Sequence, residues 1–201
     1  MLLRTMGGDY QRMLHLHHEC LRAVWERFDG AEVNTEGDSF FVAFGSADDA
    51  VDAAAAAQRA LVDTVWPEQR RPLVRIGLHT GWARPDDGDY AALSVNQAAR
   101  VVSAAHGDQV LVSDDTARAL RKPRGPDHLA SLGRFRVRDF SEPVTLHRLV
   151  IDGVDGRDLP PRVVPADGHN LIRPLTTFHG RRRDLDVLAD AVRPGRLVAI
   201  V

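Results

Sequence analysis

Asp38 follows a glycine in the run Glu36-Gly37-Asp38, between two short β-prone segments. A carboxylate at the tip of such a hairpin is held clear of a core and can offer oxygen to a hard cation such as magnesium. A turn aspartate that satisfies its own backbone is the commoner outcome of the same pattern. Asn96 and Arg100 lie four apart in a segment with helical character, so they share one helix face while Val95, Ala99 and Val102 help fill another. That arrangement suits a binding site, and it equally describes a solvent-facing polar pair on an ordinary amphipathic helix. Arg138 places a cation near the last β-prone segments, where a plain surface arginine is nearly as good a description. Asp89 follows Asp86, Asp87 and Gly88 in a loop. His15, His17, His18 and Glu19 resemble a metal cluster, but on a helix only His15 with His18 or Glu19 share a face. A solvated histidine-rich surface is the better description of that group.

Positioning these side chains requires a regular succession of elements. From Tyr10 to Phe28 apolar residues recur at intervals of three and four, the stripe of an amphipathic helix capped at Gly8 or Asp9 and ended by Gly30. Glu32 to Thr35 and Ser39 to Phe44 form the hairpin around Asp38. Ser46 and Asp48 open an alanine-rich helix reaching to about Trp66, and Leu73 to His79 then alternates as a strand. A loop at Arg84 to Asp89 precedes a helix at Leu93 to Ala105, a strand at Gln109 to Val112 and a short helix at Asp114 to Leu120. Leu132 to Phe140 and Val144 to Ile151 close the series as a pair of strands. The order predicts an α+β fold with a mixed or antiparallel sheet covered by helices, since strict βα alternation is absent. Residues 152–173, rich in glycine and proline at their start and without an apolar period, read as a linker. Residues 181–192 then read as a charged helix and 196–201 as a strand.

Composition narrows the classes. The chain has 201 residues, 44% hydrophobic and 27% charged, with a net charge of −2 from acids and bases in mixed order. No basic stripe points to nucleic acid, and no apolar run approaches the roughly 20 residues a membrane helix needs. A single cysteine, Cys20, fits a reducing compartment, so the expectation is a cytoplasmic protein.

Three strings occur in order: Asn34-Thr-Glu-Gly-Asp-Ser-Phe-Phe-Val-Ala-Phe44, Arg75-Ile-Gly-Leu-His-Thr-Gly81 and Ser94-Val-Asn-Gln-Ala-Ala-Arg100, followed by Gly107-Asp-Gln-Val-Leu-Val-Ser113. Together they resemble the class III adenylyl and guanylyl cyclase catalytic domain over about Leu2 to Val150. The resemblance implies a ferredoxin-like cyclase fold for residues 1–151, working as a homodimer on ATP or GTP with Mg²⁺ or Mn²⁺. It gives Asp38 a metal-binding role, Asn96 the ribose, and Arg100 the phosphate charge of the transition state. Arg138 falls where the family carries a phosphate-binding lysine, keeping the charge and changing its geometry. Asn34 and Asp89 fall at the two base-selecting positions; the pair is mixed, and both nucleotides stay open.

The resemblance also predicts a departure. Family members begin with a strand carrying a second metal-binding aspartate, whereas this sequence begins near the start of the first helix, with Asp9 at a helix cap. A sheet edge or gap is therefore expected, and with it weak or no cyclase activity. A non-enzymatic regulatory or dimerisation module of an ATPase or transcription regulator is the alternative. Residues 174–201, with Pro174-Leu-Thr-Thr-Phe-His-Gly180, resemble the entry to a STAND-type ATPase domain without its phosphate loop.

Overall fold

The computed structural model describes residues 7–82, 93–123, 125–156 and 158–166, with side chains from Tyr10 onward. Two compact units divide the chain, Met1–His169 and Asn170–Val201, and every described residue belongs to the first. The expected ATPase-like entry at 174–201 lies outside the described residues, as does Asp89.

The elements in chain order are α1 (Gly7–Arg27), β1 (Ala31–Glu36), β2 (Ser39–Ala43), α2 (Ala47–Asp63), a 3₁₀ turn (Pro67–Gln69), β3 (Ile76–Leu78), α3 (Leu93–Ala104), β4 (Val110–Ser113), α4 (Asp114–Ala119), β5 (His128–Arg136), β6 (Val144–Val150) and β7 (Val164–Pro165). This is the expected α+β succession. Five strands form a mixed sheet in the order β3-β4-β6-β5-β7, with β3 and β4 parallel and the other pairs antiparallel. The hairpin β1-β2 stands as its own two-stranded sheet. Among the described residues no pairing joins the two sheets, and the expected gap falls between β2 and β3.

Local chemistry explains the boundaries. Ser46 caps α2, its Oγ accepting from the Asp49 backbone N–H at 3.1 Å while its hydroxyl donates to the Asp49 carboxylate at 2.6 Å. The helix ends at Thr64, earlier than expected, because Thr64 turns extended and its hydroxyl donates to the Ala60 carbonyl at 2.7 Å. Trp66 lies beyond the helix and is buried, its indole N–H donating to the Leu61 carbonyl at 2.8 Å. At the end of α1 the left-handed residue is Asp29, with φ 53°, and the Gly30 N–H closes the turn on the Trp25 carbonyl.

The alanines of α2 let it pack closely on both sides. Ala53, Ala57 and Leu61 join Leu21, Val24 and Trp25 of α1, with Phe40, Val42 and Ile76 packed against them. Val51, Ala54 and Ala55 join Val110, Val112 and Leu149 of the large sheet. A third cluster sets Val101 and Ala104 of α3 on Leu111, Phe135 and Leu146.

Two expectations are corrected. The strand expected over 132–140 begins earlier and ends earlier, because Asp139 takes a left-handed conformation with φ 67° and turns the chain toward β6. The stretch expected as a linker is packed on the domain over its described part. There the Gln109 side chain donates to the Leu159 carbonyl at 2.7 Å, the Arg162 N–H donates to the Ala104 carbonyl at 2.8 Å, and β7 pairs with β5. Glycines and prolines without periodicity describe an irregular path, and an irregular path can still be hydrogen-bonded throughout.

Candidate active site

The hairpin places Asp38 on its two-residue turn, exposed, as the sequence predicts. Gly37 supplies the left-handed position with φ 60°. The turn is held to α1 by His18, whose Nε2–H donates to the Gly37 carbonyl at 2.9 Å. The base of the hairpin is held by Arg22 of α1, which bonds Glu32 through two hydrogen bonds of 2.8 Å. Arg22 and Thr35 bond the Glu32 carboxylate and lower its pKa to about 2. His17, one residue from His18, is buried. Burial first and then His18 hold its imidazole below the usual range, while Asp38 pulls the other way. Asn34 sits exposed on β1, opposite Phe41 where the pairing register shifts.

α3 positions Asn96 and Arg100, and its placement depends on one glycine. A Cβ at Gly77 of β3 would lie 2.5 Å from Val102 Cα and 2.7 Å from Val102 Cβ, so the helix backbone rests directly on the strand. Asn96 is exposed and Arg100 half-buried. The Arg100 Nε–H donates to the Asp139 carboxylate at 2.6 Å, and Arg138 Nε lies 3.9 Å from the same carboxylate. The structure therefore brings Arg100 and Arg138 together around Asp139. Asp38, on the hairpin, keeps company with His17 and His18 instead.

Three residues given no role by the sequence reading hold this arrangement. His79 is almost fully enclosed, and burial, opposed by Asp115 and Gln97, holds its imidazole below the usual range. Its Nε2–H donates to Gln97 Oε1 at 3.0 Å, which leaves Nδ1 to accept from the Ser113 hydroxyl at 2.9 Å. The Gln97 amide then donates to the Asp139 carbonyl at 3.2 Å. The chain of bonds β3–His79–Gln97–Asp139–Arg100 ties the sheet to the guanidinium. His79 and Gln97 lie inside two of the strings that carry the family resemblance, which was the available signal; Asp139 had none.

Among the described residues no group of three or more His, Cys, Asp or Glu side chains could hold a metal ion. Asp38 is an exposed single carboxylate beside one imidazole that donates to a carbonyl and another that is buried. These residues do not fit a two-ion site. Among the described residues no helix is long and apolar enough to cross a membrane.

An α+β sheet with this hairpin and this arginine-bearing helix defines a cyclase-type domain. The model of the adenylate and guanylate cyclase catalytic domain matches residues 3–149, and the chain belongs to that family. An uncharacterized protein of Mycobacterium tuberculosis is 30% identical over 174 residues, covering 85% of this chain and 59% of that protein. The chain thus spans little more than half the length of that relative. The receptor-type adenylate cyclase GRESAG 4.2 of Trypanosoma brucei brucei is 30% identical over 70% of this chain and 32% of its own length. Among solved structures, an adenylate cyclase from Trypanosoma brucei in its monomeric state superposes with a TM-score of 0.71 at 26% identity, covering 80% of this chain and 88% of that one. The adenylate/guanylate cyclase/hydrolase of Silicibacter pomeroyi gives a TM-score of 0.61 at 27% identity, over 71% and 85%.

Proposed function

We propose that this domain is a nucleotidyl cyclase-type signalling module that binds ATP or GTP and, as this polypeptide, converts little of it to cyclic nucleotide. The observation that carries the reading is the cationic end of α3, where Arg100 and Arg138 share the Asp139 carboxylate and Asn96 stands exposed one turn away. Two guanidiniums that share one carboxylate leave a net positive charge, which suits a polyphosphate. In this reading Asn96 hydrogen-bonds the ribose and Arg100 stabilises charge on the phosphates. Slow turnover follows from the carboxylates, because among the described residues Asp38 has no second acid beside it to share two ions and a triphosphate. Asn34 and Asp89 are the residues assigned to base selection.

Asp38 belongs to the α1 side of the domain and Arg100 to the β5-β6 side. A complete site therefore suits a head-to-tail twofold homodimer in which Asp38 of one protomer meets Asn96 and Arg100 of its partner. A regulatory or dimerisation role is the second reading, favoured by the same incomplete carboxylate set.

The experiment pairs ATP and GTP binding by calorimetry with cyclic AMP and cyclic GMP production, in magnesium and in manganese, on residues 1–201. Binding of a triphosphate that weakens about tenfold or more in Arg100→Ala, with little product, is expected. Failure to bind either nucleotide would overturn the reading, and rapid turnover would overturn the carboxylate reasoning.

A further inference from the structure

The hydrogen bonds around His79 can run in one direction only. The Asp139 carbonyl accepts and never donates, so the Gln97 group that reaches it at 3.2 Å is the amide NH₂. Gln97 Oε1 is then left to accept from His79 at 3.0 Å, which fixes the ring proton on Nε2. Burial holds the imidazole below the usual range, so at neutral pH it carries that one proton, and Nδ1 accepts from the Ser113 hydroxyl at 2.9 Å. With the Ser113 proton spent there, the Thr116 hydroxyl donates to Ser113 at 3.3 Å and accepts from the Thr80 hydroxyl at 3.0 Å. The series Thr80–Thr116–Ser113–His79–Gln97–Asp139 thus leads from the end of β3 through α4, β4 and α3 to the turn after β5. Its centre is shut from water: Ser113 and Thr116 are buried, and the His79 side chain is 3% exposed.

The series ends on a backbone that needs holding. Asp139 is a non-glycine residue at φ 67°, a conformation disfavoured for L side chains that persists where neighbours over-determine it. The bond from Gln97 to its carbonyl is one such restraint, and the Phe140 ring, edge-on to His79 at 5.3 Å between centroids, is another. Held there, the Asp139 carboxylate meets the Arg100 Nε–H at 2.6 Å. The two side chains are 37% and 29% exposed, so an anion from solvent can reach the pair. Arg138 gains little from the same restraint, since it is exposed and lies 3.9 Å from the carboxylate.

We infer that His79 is the positioning residue of a clamp on Arg100. Through Gln97 it fixes the Asp139 turn, and the carboxylate so placed occupies the guanidinium as a phosphate oxygen would, until a triphosphate displaces it. The inference rests on the nucleotide reading for the identity of the displacing anion, and on the hydrogen bonds alone for the clamp. Binding then costs the loss of the Arg100–Asp139 pair, so the firmness of the Asp139 turn sets the affinity for the nucleotide.

The test uses the 201-residue chain with Gln97→Met, which fills the same space without the amide, and with His79→Phe, which keeps a ring beside Phe140 without its nitrogens. His79→Gln is the rescue, because its amide nitrogen can stand in for Nε2 as a donor. Solvent exchange of the Arg100 Nε–H, assigned by NMR from its loss in Arg100→Ala, should quicken about tenfold or more in the first two variants and stay within about threefold of the parent in His79→Gln. Calorimetric affinity for ATP or GTP should rise about threefold in Gln97→Met and His79→Phe, and by less than about 1.5-fold when either is added to Asp139→Asn, where the clamp is already released. Unchanged exchange in folded Gln97→Met, exchange in His79→Gln as fast as in His79→Phe, weaker nucleotide binding in Gln97→Met, or the full gain on the Asp139→Asn background would each overturn the inference. Quickened exchange with the rescue intact, in protein that binds neither nucleotide, would overturn the nucleotide reading and leave the clamp standing.

Discussion

Gly77→Ala should be among the most damaging single-methyl changes this domain can suffer. The new Cβ would lie 2.5 Å from Val102 Cα and nearer still to the Val102 backbone nitrogen, against an ordinary contact limit of 3.4 Å. The obstructing atoms are helix backbone, so no rotamer change relieves them, and α3 must retreat by roughly 1 Å. α3 is seated by Val101 and Ala104, both fully buried against the large sheet, so retreat opens the core on that side. Overpacking against backbone costs about 3 kcal/mol, the upper end of its usual range. For a domain of this size that lowers Tm by about 6–12 °C. Gly37→Ala is the contrast, because Gly37 has φ 60° and nothing within 4 Å of its Cβ position. It should cost only the left-handed penalty, about 1 kcal/mol. Urea denaturation of both variants at pH 7.5 checks the pair. A loss below about 0.5 kcal/mol for Gly77→Ala, or equal losses for the two, would refute the placement of α3 on β3. The damage should also reach function, since the helix that moves carries Asn96 and Arg100; Gly77→Ala should weaken nucleotide binding where Gly37→Ala does not.

Asp139→Asn keeps a side chain that tolerates the left-handed turn and removes the negative charge shared by Arg100 and Arg138. Triphosphate affinity measured by calorimetry should rise about threefold to tenfold, the scale of a partly exposed ion pair; a fall would mean that Asp139 aims Arg100 and does not merely neutralise it. Arg71→Ala removes a bidentate pair of 2.8 Å bonds to Asp108, whose side chain is 6% exposed. The loss should be about 2 kcal/mol by chemical denaturation, from two charge-assisted bonds and an acid left nearly buried. Burial lowers the pKa of His17 and of His79 from the ordinary 6.5, so below pH 6.5 the unfolded chain takes up protons at these sites that the folded chain refuses. Their contribution to stability is therefore full above pH 6.5 and is lost as pH falls below it, and His17→Phe should flatten the denaturation midpoint between pH 7.5 and 5.5; an unchanged slope would refute the assignment.

The sequence by itself determined the order of elements and the place of each candidate residue along the chain. Three-and-four periodicity before Phe28, the Gly-Asp turn and Ser46 before α2 act over a few residues, and each did so as read. The break between the hairpin and the large sheet, seen among the described residues, was legible too. What only the tertiary structure decided depends on residues distant in sequence. The Arg100–Asp139 pair joins positions 39 apart, and Asp139 earns its place by a backbone conformation that its identity did not announce. The His79–Gln97 bond exists because Gly77 lets α3 lie on β3, a contact between backbones that no side-chain pattern encodes. The packed path of 152–166 was hidden for the same reason, since its hydrogen bonds run through main-chain groups that every residue carries. Local chemistry fixes where the chain turns, and long-range packing fixes which charges meet.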